Sequence, residues 1–187
     1  MIPVGSGKIP ARLIYSWKVP MYLGDTEQGN DAWLAALITN KLDFPLTTGP
    51  VLITKSGRPL GQGVVNYTHK GGEAIVPISI ASAVLCKAEE REEDRSNSSL
   101  KFLGSRWARV TVEGTLTINN RRGKDITVRV ERPVMGKVKK AGKGGEVDEQ
   151  IISTRDPNPK STIHWTVDVK KGKEVKLAYE YEALHQY

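Results

Sequence analysis

The chain has 187 residues, with 28 Lys and Arg against 21 Asp and Glu and a formal net charge of +7. That length holds one large or two small domains, and 39% apolar residues are enough for a core. No apolar run approaches the roughly 18 to 20 residues that cross a bilayer as a helix, and a single cysteine, Cys86, excludes an intramolecular disulfide and a cysteine-rich metal site. The N-terminal MIPVGSGKIPARLIYSWK has no charged segment leading into an apolar one, so it does not read as a signal peptide.

Residues 1–95 carry 10 basic and 10 acidic side chains, whereas 96–187 carry 18 and 11, so the whole excess lies in the second half. Such asymmetry marks either a polyanion-binding half or a solvated surface with a lysine-rich loop.

Taken in order, Arg12–Lys18 places Leu13, Tyr15 and Trp17 on one parity, which suits a pleated, half-buried strand. Val19-Pro20 ends it, and Gly24–Asp31 is a polar loop. Ala32–Asn40 (AWLAALITN) fits a helical face but is short and β-branched at its end, and it reads as a strand. Val51–Lys55 and Leu60–Thr68 are strands joined by Ser56-Gly57-Arg58-Pro59, with Gly61 and Gly63 marking a bulge or a close approach. Ala74–Ile80 is a strand that Pro77 places near an edge. Ala81–Ser99 stays open, since its composition favours a helix and its surroundings a strand. The polar stretch Arg95–Ser99 is the expected boundary between halves.

The clearest pattern is Arg109–Glu131. Val110, Val112, Leu116 and Ile118 share one parity, and Ile126, Val128 and Val130 resume it after a polar break. The break, Asn119–Asp125, fits a hairpin loop or an arch between facing sheets, and the arch is the preferred reading. Pro133–Val138 continues as a strand, Glu149–Ser153 is another, and Ser161–Val169 with Glu174–Ala183 reads as a hairpin around Gly172. The expectation is an all-β protein of one or two immunoglobulin-like antiparallel β-sandwich domains, with at most one short helix, divided as 1–95 and 96–187. No internal repeat emerges, although both halves are built alike.

Three phrases, LITNKLDFPLTTGPVLI at Leu37–Ile53, GTLTINNRRGKDITVRV at Gly114–Val130 and NPKSTIHWTVDVKKGKEVKLAYEY at Asn158–Tyr181, carry a resemblance. They are similar to the C-terminal β-rich domain of the mucoidy inhibitor A-like family. The resemblance implies a β-sandwich region of a longer bacterial protein, placed in the periplasm or cell envelope. It supplies no catalytic residue to transfer, and the family's coiled-coil segment has no counterpart in this sequence.

Candidate chemistry is sparse. His69, His164 and His185 lack a neighbouring ligand or acid–base partner. Cys86 reads as a small buried hydrophobe. Asp25, Asp31 and Asp43 lack the spacing of a calcium loop, and GRPLGQG at Gly57–Gly63 lacks the ending and the following helix of a phosphate loop. The one patch worth testing is basic: Arg121, Arg122, Lys124, Lys137, Lys139, Lys140 and Lys143. If the loops that hold them share one end of a sandwich, they form a cationic rim for a polyanion. The expected function is a non-enzymatic interaction or scaffolding module with a protein partner and no cofactor or metal, and the alternative is a polyanion-binding module.

Overall fold

The computed structural model describes residues 9–23, 30–102, 104–151 and 156–186, with backbone alone at 97–102. Asp25, most of the Gly24–Asp31 loop, residues 1–8 and the end of the Glu149–Ser153 strand lie outside the described residues. Among those described there is no helix. The strands are β1 (Ala11–Lys18), β2 (Asp31–Thr39), β3 (Gly49–Lys55), β4 (Arg58–Val65), β5 (Glu73–Phe102), β6 (Ser105–Asn120), β7 (Ile126–Met135), β8 (Lys137–Ala141), β9 (Glu146–Gln150), β10 (Lys160–Val169) and β11 (Glu174–Gln186). Hydrogen bonding orders nine of them β8-β11-β6-β5-β2-β1-β7-β10-β9, a large mixed sheet, and leaves β3-β4 as a two-stranded one.

The chain divides into two compact units. Unit 1 is Met1–Ser16 with Trp33–Ala81, and unit 2 is Trp17–Ala32 with Ser82–Tyr187. Strands β1, β2 and β5 contribute residues to both. The division therefore does not follow 95/96, and Arg95–Ser99 lies inside β5.

In unit 1, β1 and β2 pair antiparallel from Ala11↔Ile38 to Ser16↔Trp33. One core cluster gathers Ala36 of β2, Val65 of β4 and Ala74 and Val76 of β5, with Val51 and Ile53 of β3 packed against it. A second gathers Ile14, Ala35 and Leu37 against Ile75. The β3–β4 turn is Ser56-Gly57, both at positive φ (50° and 75°), the two-residue geometry that matches strand twist. Gly61 and Gly63 bring β4 onto β5. A Cβ at either would meet Ile78 Cγ2 at 2.8 Å or Val76 Cγ1 at 2.6 Å.

In unit 2, alternation governs burial. Ile126, Val128, Val130, Arg132 and Val134 of β7 are buried, and the residues between them are half-exposed. Leu116 and Ile118 of β6, Ile163, Trp165 and Val169 of β10, and Leu177 and Tyr179 of β11 complete the core. Antiparallel pairs join β6 to β5 and β11, β7 to β10, β10 to β9 and β11 to β8.

One open reading closes and three expectations change. The segment 81–99 is strand, because its pairing with β6 outweighs its helix-forming composition. The strand expected at Pro133–Val138 breaks at Gly136, where a Cβ would sit 2.5 Å from the Glu182 carbonyl oxygen. β9 begins at Glu146, ahead of the expected Glu149. β10 and β11 are not a hairpin, since each pairs with other strands. β6 and β7 are likewise not neighbours, so Asn119–Asp125 is a crossing connection rather than a hairpin loop.

Candidate functional site

The most elaborate polar assembly lies in unit 2 around Arg132. Its place among the apolar residues of β7 turns the guanidinium into the core, where it is 0% exposed. Nε donates to the Tyr179 hydroxyl at 2.8 Å. One terminal nitrogen donates to the carbonyls of Pro20 and Met21, and the other meets Glu90 Oε1 at 2.5 Å. Tyr179 in turn donates to Glu90 Oε1 at 2.7 Å, and Tyr181 reaches Glu90 Oε2 at 3.4 Å. The Tyr179 ring lies over Gly114 of β6, where any Cβ would collide with it. One cation thereby joins β5, β7, β11 and the connection after β1.

The electrostatics are those of a closed structural cluster. Burial, then the charge of Glu90, pushes Tyr181 up to about 12. Burial likewise raises Tyr179. For Arg132, burial acts to lower the pKa, but the charge of Glu90 and the hydrogen bonds to Glu90 and Tyr179 leave it raised. These groups stay neutral, neutral and cationic, with both hydroxyls directed at Glu90 and the guanidinium at Glu90, Tyr179 and backbone carbonyls. Sequence parity carried the signal for Arg132, since it follows Val128 and Val130 on the buried face.

Two asparagines fasten the crossing connections. Asn120, at the end of β6 and fully buried, donates its amide to the carbonyls of Lys124, Val169 and Lys170, while its side-chain oxygen accepts from the Arg122 amide. Its backbone bonds Lys173 and Gly172. Asn40 in unit 1 repeats this group for group. Its amide donates to Phe44, Thr68 and His69, its oxygen accepts from Leu42, and its backbone bonds Gly72 and Gly71. Each buried amide replaces a turn's worth of lost backbone partners.

The basic set does not form one rim. Arg121, Arg122 and Lys124 lie beside Asn120, level with Glu174, which pairs with Asn119. Lys137 pairs with Glu182 along β11, about 26 Å away at the usual strand rise. Lys143 sits between them in height, in the turn held by the Gly142 amide on the Ala178 carbonyl. Lys139 and Lys140 contact Glu182 at 3.1 Å and Glu180 at 2.5 Å. The hydrogen bond to Glu180 raises the Lys140 pKa.

The remaining candidates are placed as follows. His164 is half-exposed beside buried Trp165, and His69 is exposed. Burial, then the charge of Asp31, pushes the Cys86 thiol up to about 12, which disfavours the reactive thiolate. No group of three His, Cys, Asp or Glu able to hold a metal occurs among the described residues. A cleft of about 440 Å³ in unit 2 is lined by Arg109, Lys137, Glu149, Asp156, Asn158 and Glu182 among others.

Sequence reasoning missed the outer face of the β3–β4 hairpin. Val51, Ile53, Gly61 and Gly63 turn inward, so Pro50, Leu52, Thr54, Leu60, Gln62 and Val64 turn outward. Leu52 is 61% exposed, Val64 54% and Leu60 39%. Lys55 and Arg58 flank the turn at its tip, both exposed and without an ion pair among the described residues. No known family profile, curated protein or solved structure matches this chain.

Proposed function

We propose that this chain is a non-enzymatic interaction and scaffolding module made of two β-sandwich-like units, a part of a longer bacterial protein of the cell envelope. The observation that carries the interaction reading is the outward face of β3–β4. Solvent-facing strand positions ordinarily hold Thr, Lys or Glu, as on β11 with Glu174, Lys176 and Glu180. Here four of the six, Pro50, Leu52, Leu60 and Val64, are apolar, and clustered exposed apolar side chains on one strand face mark a contact site.

The sandwich reading is supported by how strands pair and cross. In unit 1 the β3–β4 pair packs over β2 and β5. In unit 2 the β7–β10 pair is bonded apart from β6–β11. In both, consecutive strands cross between the pairs at an asparagine. The buried polar groups serve those crossings: Asn40, Asn120 and Arg132 all bind backbone carbonyls. The envelope and the longer parent protein follow from the family resemblance.

The test is a photo-crosslinking amino acid in place of Leu52, with Lys176 as the control position, in the source cells. A discrete adduct at 52 and none at 176 is the expected result. No adduct at 52, or the same adducts from both, would remove the proposed contact face. A polyanion-binding reading still has Arg121, Arg122 and Lys124 clustered at one connection. Retention on heparin above roughly 150 mM salt, lost on substituting these three by alanine, is its signature.

A further inference from the structure

We propose that the outer face of the β3–β4 hairpin docks on an anionic lipid surface. This rests on the reading of that face as a contact site and names its occupant. The face is small. Its outward positions are Pro50, Leu52, Thr54, Leu60, Gln62 and Val64. A stable protein interface uses roughly 20–30 residues a side, so the face alone is too small to hold a second copy.

Its outward positions also adjoin one another. Pro50↔Val64 and Leu52↔Gln62 are cross-strand pairs, and the shift after Ile53 leaves Leu60 beside them. Its chemistry is mostly apolar, with Pro50, Leu52, Leu60 and Val64 around Gln62 and Thr54, and it is cationic at the tip, with Lys55 and Arg58 on either side of Ser56-Gly57. An interfacial lipid contact uses that combination: apolar side chains enter the headgroup boundary while Lys and Arg meet anionic headgroups.

The charge of the whole unit agrees. Among its described residues, unit 1 carries Arg12, Lys41, Lys55, Arg58 and Lys70 against Asp43 and Glu73 alone. Asp43 is itself held by Lys70 at 2.7 Å. The apparent neutrality of residues 1–95 arises because the acidic run Glu89–Asp94 belongs to unit 2. The hairpin thus belongs to a net cationic unit, and its apolar face carries no carboxylate.

The test is flotation of the full chain with vesicles of phosphatidylcholine alone or mixed equally with phosphatidylglycerol, at 100 and 500 mM NaCl. The parent is expected to float with the anionic vesicles at low salt and not with the neutral ones. Leu52→Ser with Val64→Ser, and separately Lys55→Glu with Arg58→Glu, should each lower the bound fraction at least tenfold. Gln62→Leu, which enlarges the apolar face, should raise it about threefold. All five positions are exposed, and circular dichroism checks that each variant is folded. Absence of anionic-vesicle binding by the parent, or binding indifferent to the Leu52/Val64 change, would overturn the proposal. So would self-association in sedimentation that depends on Leu52 and Val64, since a second copy would then cover the face. If vesicles fail while position 52 still crosslinks to a protein in cells, the lipid occupant falls and the contact face stands. If both fail, both readings fall.

Discussion

Unit 1 and unit 2 share an asparagine-anchored pattern of strand pairing, with opposite results on one face. Asn40 and Asn120 accept an amide two residues on, donate to a carbonyl four residues on, and grip the next crossing at Thr68-His69 or Val169-Lys170. From those anchors the pairing matches step by step. The bridge Leu46↔Thr68 stands where Ile126↔Val169 does, and Pro50↔Val64 stands where Val130↔Trp165 does. Yet Val130, Arg132 and Trp165 are buried, whereas Pro50, Leu52 and Val64 are exposed. Between the matching pairs, unit 1 interrupts its ladder at Thr48, whose hydroxyl accepts from the Tyr67 amide. The hairpin beyond turns its other face inward, with glycines allowing β4 to lie against β5. A shared frame therefore sets the register, and a local interruption decides which face becomes core. Positions of core character are left on the surface of unit 1.

The largest expected effect tests what unit 2 adds to that frame. Arg132→Ala leaves Glu90 without its buried partner and should cost about 3–5 kcal/mol in urea unfolding. Arg132→Met with Glu90→Leu, which removes both charges, should recover most of it. A single variant near neutral would show that the cluster adds nothing to unit 2. Next, Asn40→Ala and Asn120→Ala each strand several buried backbone groups, at about 1–3 kcal/mol per site. Effects that differ severalfold would break the equivalence of the two anchors. Gly71 and Gly172 follow those anchors at φ 80° and 67°, so alanine at either should cost about 1–2 kcal/mol through the left-handed backbone.

The smallest effect is confined to alkaline pH. The folded pKa of Tyr181 is raised from 10.0 to about 12. The folded state holds that proton longer than the unfolded one, so its contribution is full below pH 10 and is lost as pH rises towards 12. Stability measured from pH 9 to 12 should fall more steeply in the parent than in Tyr181→Phe. Equal slopes would place the Tyr181 hydroxyl in water. Cys86 and Tyr179 are raised as well, but both are common to the parent and Tyr181→Phe, so the difference in slope reports Tyr181.

Strand character was legible where burial alternates, as in β6, β7, β10 and β11, because period two is written directly into apolar positions. Connectivity was not. A Gly-containing turn such as Lys170–Lys173 looks the same in a hairpin and in a crossing, and the difference lies in Asn120, 50 residues from the Lys170 carbonyl it binds. The segment 81–99 was undecided because Lys, Glu and Arg favour a helix locally and only pairing with β6 overrides them. The repeat was hidden because its signature is one asparagine and two turns, interrupted in unit 2 by β8 and β9. The basic set looked coherent in sequence because nearness along a chain says nothing of height along β11.

That interruption also marks where the architecture accepts new sequence. Unit 1 closes the β3–β4 pair with Ser56-Gly57, and unit 2 opens the corresponding β7–β10 pair to admit everything from Gly136 to Pro159. The asparagine anchor lies at the far end of the pair and is untouched by the change. In engineering terms the Ser56-Gly57 turn is a graft point: a peptide or a small folded insert placed there meets the condition that unit 2 already satisfies.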